Sequence, residues 1–190
     1  HWALIDNMRG ASVDSQQRLY ANSTGAEGSS NWFKFTSQGF TPNTYFDGTL
    51  IYIAIRRPMK TPEAGTEVFA SSYNQEVSSA TSGFYSGFPV DLAIKRIITA
   101  SQPNYLFDRL RGAKSFTTNS SNTEGGFGAA EFDHQEGFYY DDDSSNTNDI
   151  SWMFKRATGF LDIVAYSGNE VAGTSHNHNL GVTPEMMIVK

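Results

Sequence analysis

Leu4-Ile5-Asp6-Asn7-Met8-Arg9-Gly10-Ala11 returns later in the chain as Leu106-Phe107-Asp108-Arg109-Leu110-Arg111-Gly112-Ala113. Further blocks recur in the same order, which separates a duplication from a chance match. Leu19, Asn22, Ser23, Glu27 and Gly28 map onto Phe116, Asn119, Ser120, Glu124 and Gly125 at one constant spacing. Gly39-Phe40 returns as Gly137-Phe138, and Ile51 to Arg57 as Ile150 to Arg156. Val68 to Asn74 matches Ile163 to Asn169, and Gly87 to Arg96 matches Gly181 to Lys190. The spacing drifts only between blocks, where loops absorb insertions.

Working outward from these blocks, the intervening sequence is short apolar runs separated by Gly, Ser, Asn and Thr, without helical cap signals. That pattern predicts an all-β protein: antiparallel β-sandwich or jelly-roll units in tandem, the product of an internal duplication. Ile51-Tyr52-Ile53-Ala54-Ile55 reads as a core strand leaving through Arg56-Arg57-Pro58, and Ile150 to Phe154 as its copy leaving through Lys155-Arg156. Phe160 to Tyr166, closed by Ser167-Gly168-Asn169, and Met186 to Val189, entered through Gly181-Val182-Thr183-Pro184, read as two more strands. Their first copies are Glu67 to Ala70 and Leu92 to Ile94. Asn22 to Asn31, Ser71 to Gly83 and Asn119 to Gly128 lack periodicity and read as surface loops.

Composition bounds function. The chain has 190 residues, a net charge of -6, 18% charged and 14% aromatic residues. An acidic chain without a Lys/Arg run does not fit a nucleic-acid backbone by bulk electrostatics. It has no cysteine, so neither disulfides nor a thiolate zinc site hold it together. No apolar run reaches bilayer-spanning length, so no membrane insertion is expected. His1-Trp2-Ala3-Leu4 does not read as a signal peptide, and the lack of an initiating Met is expected of a segment cut from something longer.

Several groupings invite a chemical reading. Glu131-Phe132-Asp133-His134-Gln135-Glu136 resembles the paired-carboxylate strand of a β-glucanase, where a retaining glycoside hydrolase needs two carboxyl groups about 5 Å apart. Glu131 and Asp133 share a face of a regular strand while Glu136 points away, and the matching stretch Lys34 to Gln38 has no carboxylate. A strand end leading into the Gly-Phe turn accounts for it better. Asp141, Asp143 and Asp149 in the run 141–149 carry oxygen ligands of the kind calcium takes. They are set against a solvated acidic loop, because its counterpart has only Asp47, and no metal is assigned. His176 and His178 alternate on one face but have no third ligand nearby. Asp6 with Arg9, and Asp108 with Arg111, suit a carboxylate that accepts turn amides while the arginine braces the bend. Tyr45 and Phe46, and Tyr139, Tyr140 and Asp142, lie on tips that differ between copies. Exposed aromatics beside acids and amides are how lectin-like loops hold sugars, although the same rings also suit packing. No nucleophile elbow, phosphate-binding glycine loop or Ser/His/Asp grouping is visible.

The motifs Phe160 to Asn169, His178-Asn179-Leu180-Gly181-Val182-Thr183-Pro184-Glu185-Met186-Met187-Ile188-Val189-Lys190, Trp2 to Ala11, Gly25-Ala26-Glu27 and Gly39-Phe40-Thr41 together resemble a repeat of large virion proteins of tailed bacteriophages, associated with SPRY-like or concanavalin A-like modules. The resemblance covers nearly the whole chain. It implies a frame in which residues 1–66 are the rear of one unit, 67–157 a complete unit and 158–190 the front of another, the last completing 1–66 or a further unit. Phe84-Tyr85-Ser86-Gly87 stands where the other copy has His178-Asn179-Leu180-Gly181.

The resemblance further implies a virion location and a non-enzymatic tail fibre or spike segment. Its expected partners are other virion proteins and host-surface glycan. A homo-oligomer, by analogy with fibres a trimer, is expected, and no cofactor. A concanavalin-like carbohydrate-binding module is the alternative reading, and a glycoside hydrolase using Glu131 with Asp133 or Glu136 the third.

Overall fold

A computed structural model of the chain describes residues 3–13, 15–43, 50–56, 59–73, 82–99, 101–125, 129–141, 149–166 and 168–189. Among them the architecture is all-β, in several antiparallel sheets, with single 3-10 turns at Asn7–Arg9 and Gly65–Glu67. The N-terminal part contains β1 (Ala3–Ile5), β2 (Gln16–Tyr20) and β3 (Gly28–Ser30) in one sheet, followed by the hairpin of β4 (Phe33–Phe35) and β5 (Phe40–Pro42).

Residues 67–157 build two further sheets. The larger has the order β10 (Ser115–Thr117), β9 (Tyr105–Asp108), β8 (Leu92–Ile97), β13 (Asp149–Phe154), β6 (Phe69–Tyr73). The smaller has the order β11 (Ala129–Glu131), β12 (Gly137–Asp141), β7 (Ser82–Tyr85). Alternation sends Phe84, Ala130, Phe138 and Tyr140 of the smaller sheet, and Ala93, Phe107 and Met153 of the larger, into one buried cluster. Phe138 stacks between Phe84 at 5.2 Å and Phe132 at 5.6 Å, and Phe107 meets Tyr140 at 5.3 Å between ring centroids. Each buried ring of this size contributes about 1.5–3 kcal/mol relative to exposure. Gly137 is required by this packing, since a Cβ there would fall on the carbonyl oxygen of Phe84 across the β12–β7 pair.

Two of the matched sequence blocks carry the same strand pairing. β1 pairs with β2 as Ala3↔Tyr20, Leu4↔Leu19 and Ile5↔Arg18, and β9 pairs with β10 as Tyr105↔Thr117, Leu106↔Phe116 and Phe107↔Ser115. The bridge Arg18↔Gly28 returns as Ser115↔Gly125.

The repeated corner is equally regular. Asp6 Oδ1 accepts from the backbone N–H of Met8 and Arg9, both at 3.0 Å, and Asp6 Oδ2 from Arg9 Nε at 2.5 Å. Asp108 Oδ1 accepts from the Arg111 backbone N–H at 3.0 Å, and Asp108 Oδ2 from Arg111 Nε at 2.5 Å. Each arginine also faces a glutamate, Arg9 with Glu27 at 2.7 Å and Arg111 with Glu124 at 3.8 Å. Gly10 and Gly112 close the corners at φ 81° and 69°, where a side chain would be strained.

The strand expectations need three corrections. Residues 51–55 form no strand, and Ile51, Ile53 and Ile55 stand exposed, so this run is not a core strand here although its copy β13 is. Residues 162–166 and 186–189 likewise carry no ladder pairing, and Met186 to Val189 are exposed. A β-prone run joins a sheet only where at least one neighbouring strand satisfies its backbone, and a central strand needs two. β13 has β8 and β6, and residues 51–55 have neither counterpart beside them. Finally, β3, β6 and β7 each take in part of a stretch expected to be loop.

Candidate functional site

The functional reading depends on which polar residues of residues 67–157 are committed to holding the unit and which are left on its surface. Two groups are committed. Lys95 and Asp149 are buried on adjacent strands β8 and β13, with Nζ 2.6 Å from Oδ2 and 3.8 Å from the centroid of the Tyr140 ring. Asp149 therefore belongs to the interior, which removes it from the proposed set of loop calcium ligands. Tyr140, expected at an exposed tip, is likewise a core residue, because alternation along β12 points it and Phe138 inward.

The second group centres on Arg109, buried where β9 ends. Its Nε and Nη2 donate to the Val90 carbonyl at 3.0 and 2.6 Å, and its Nη1 to the Asn7 carbonyl at 3.1 Å and to that of Phe132. Nε also lies 3.2 Å from Asp91 Oδ1, and Asp91 Oδ2 accepts from the Arg156 backbone N–H at 2.8 Å. One guanidinium thus ties together the ends of β8, β9, β11 and β13 and the first corner. Sequence reasoning missed Arg109 because its counterpart is Asn7, and difference between copies suggested specificity rather than scaffold. The only signal for it was a second arginine in the corner, where the first copy has the neutral Asn7.

The surface group lies on the outer face of the β11-β12-β7 sheet. With Ala130, Phe138 and Phe84 turned inward, Glu131, Tyr139 and Tyr85 turn outward. Glu131 is directly opposite Tyr139 in register, and Gly83, opposite Tyr139 on the other side, leaves room for the ring to lie over β7, its missing Cβ position 3.0 Å from Tyr139 Cε1. His134 meets the Tyr139 ring edge-on at 4.2 Å. The Tyr139 phenol is held above its ordinary titration range, chiefly by partial burial and then by the neighbouring Tyr85 phenol and the Asp133 carboxylate. The result is two phenols and an imidazole flanked by the exposed carboxylates of Glu131 and Asp133. Such a face offers aromatic ring surface for one side of a pyranose ring and acceptors for its hydroxyls.

The remaining candidates are placed as follows. Glu131, Asp133 and Glu136 all lie exposed at the end of β11 and in the turn to β12. Tyr45, Phe46, Asp142 and Asp143 fall outside the described residues, and Asp141 ends β12. His176 stacks on Tyr166 at 4.1 Å, and His178 Nδ1 accepts from the Leu180 backbone N–H at 3.3 Å, so the two imidazoles have separate local roles. Among the described residues no group of three or more His, Asp or Glu side chains could hold a metal ion, and no helix is long and apolar enough to cross a membrane. No family model, curated protein or solved structure matches this chain.

Proposed function

We propose that this chain is a non-enzymatic structural segment of a phage virion, of the tail fibre or spike kind, and that residues 67–157 contact host-surface glycan through the outer face of β11, β12 and β7. The virion part is supported by the sequence resemblance. The contact is supported by one observation, the Tyr139–Tyr85–His134 aromatic face bordered by Glu131 and Asp133. Stacking of a ring on a surface of this kind contributes on the order of 1 kcal/mol beyond buried area, so single sites bind weakly and repeated copies gain by avidity.

The test is a glycan array and a whole-cell binding assay on the chain, beside a Tyr85→Ala/Tyr139→Ala variant with an unchanged far-UV spectrum. Loss of binding in the variant supports the reading. Equal binding by both proteins removes this face from it, and no binding by either removes host contact. The alternative, a concanavalin-like carbohydrate-binding module, draws on the same face and differs in one outcome, since it requires binding to isolated soluble glycan as well as to cells.

A further inference from the structure

The exposed apolar residues of this chain are not scattered. Leu50, Ile51, Tyr52, Ile53 and Ile55 make one run and Met186, Met187, Ile188 and Val189 another, each at least 45% exposed. Folded chains rarely leave contiguous apolar surface of this extent uncovered unless something binds it. At roughly 100 Å² for each of these side chains, covering both runs buries about 1,000 Å², the lower bound for a specific association.

The complete unit states how the runs fit. There β8 lies between β9 and β13, with Leu92, Ala93, Ile94 and Lys95 opposite Phe154, Met153, Trp152 and Ser151 on one side and opposite Asp108, Phe107, Leu106 and Tyr105 on the other. The duplication carries β8 onto Met186–Val189, β13 onto residues 51–55 and β9 onto β1. The corresponding register places Met186, Met187, Ile188 and Val189 opposite Ile55, Ala54, Ile53 and Tyr52 on one edge. On the other edge it places them opposite Asp6, Ile5, Leu4 and Ala3. Both receiving edges are open: β1 is the outer strand of its sheet, and residues 51–55 carry no ladder. The β1–β2 register already repeats that of β9–β10, so the N-terminal half-unit is built to accept this strand.

Within one chain both runs stand exposed and carry no ladder pairing, even though the base of the C-terminal segment is seated on the N-terminal part. Asn179 Nδ2 and Arg156 Nη2 both donate to the Ser37 carbonyl, at 2.9 and 3.3 Å. With the base fixed there, Met186–Val189 extend beyond it, exposed. We propose that Met186–Val189 insert between β1 and residues 51–55 of a second copy of this chain, an antiparallel strand exchange in the register given above. Each copy offers one donor strand and one acceptor cleft, so exchange between two copies is reciprocal and covers both apolar runs of each.

The absence of native cysteine makes the register directly testable on the full chain. An Ile53→Cys chain is mixed with an Ile188→Cys chain of different tag length at micromolar concentration and oxidised mildly. The expected result is a disulfide-linked heterodimer, formed at least tenfold more than when Met187→Cys, one residue out of register and on the opposite face, replaces Ile188→Cys. Both sites are exposed in the single chain, so the substitutions leave its fold intact, checked by far-UV circular dichroism. Failure of the heterodimer to form overturns the proposal. So does a double variant, Ile53→Cys/Ile188→Cys, that oxidises quantitatively within one chain, or a wild-type chain sedimenting as a single copy at about 100 μM. These outcomes are independent of glycan binding, which resides on a different sheet.

Discussion

Lys95 and Asp149 are the deepest ion pair described in the molecule, and replacing one partner measures what the interior requires. Their atoms are 2.6 Å apart and both side chains are at most 2% exposed. At an effective dielectric of about 20, two unit charges at that separation attract by roughly 6 kcal/mol. The desolvation of both ions offsets most of this, so the intact pair contributes little net stability. Lys95→Met removes the attraction but leaves the Asp149 carboxylate buried. It is expected to cost about 3–5 kcal/mol. Lys95→Met/Asp149→Leu removes the charge problem as well and is expected to return within about 3 kcal/mol of the parent, the cost of overpacking by the larger Leu, and so to lose much less than the two single variants added together. Equilibrium urea unfolding of the parent, both single variants and the double variant closes the cycle, with the slope checked for constancy. A single-variant loss below about 1 kcal/mol, or a double variant as unstable as the sum of the singles, would refute a buried and mutually dependent pair.

Three other outcomes follow from the same structure. Arg109→Met leaves Asp91 and the carbonyls of Val90 and Phe132 without their buried donor and should cost about 3–5 kcal/mol, whereas Arg96→Met, on an exposed residue of β8, should cost under about 0.5 kcal/mol in the same urea experiment. Gly137→Ala drives a methyl group into the Phe84 carbonyl and should cost more than the roughly 1–3 kcal/mol of ordinary overpacking, read as a fall in thermal midpoint, with Gly39→Ala, where the added Cβ meets open space, as the control. Absorbance titration near 295 nm should show one phenol ionising above the ordinary value of about 10, and Tyr139→Phe should abolish that late step. Because the folded state raises this acid's pKa, Tyr139 adds stability below pH 10 and loses that contribution as pH climbs through the raised value.

The all-β class and the corner were legible in the sequence because both are local. A carboxylate three residues before an amide it accepts, an arginine at the same spacing and a glycine at positive φ form one corner wherever they occur, and the chain carries them at Asp6–Gly10 and Asp108–Gly112. The candidate site was legible only in part. Tyr139 and Tyr140 are identical in composition and adjacent in sequence, and only the pleat of β12, anchored by Phe138 in the core, decides that one faces outward and the other inward. Strict alternation from Phe138 would have separated them. Tyr85 had no such signal, since it reaches Tyr139 only through the β7–β12 pairing across more than fifty residues.

The sequence by itself determined the β class, the repeated blocks and the local hydrogen bonding of each corner, all of which depend on residues a few positions apart. Tertiary structure alone decided that Lys95, Asp149 and Arg109 lie inside and that Tyr85 joins Tyr139. It also decided that Ile150–Phe154 is a strand while the equally β-prone Ile51–Ile55 is not. The physical reason is common to all of these. Burial of a charge requires a partner, and a strand in a sheet requires a neighbouring strand to take its backbone hydrogen bonds. Both are supplied by segments distant in the chain, which no local pattern can specify.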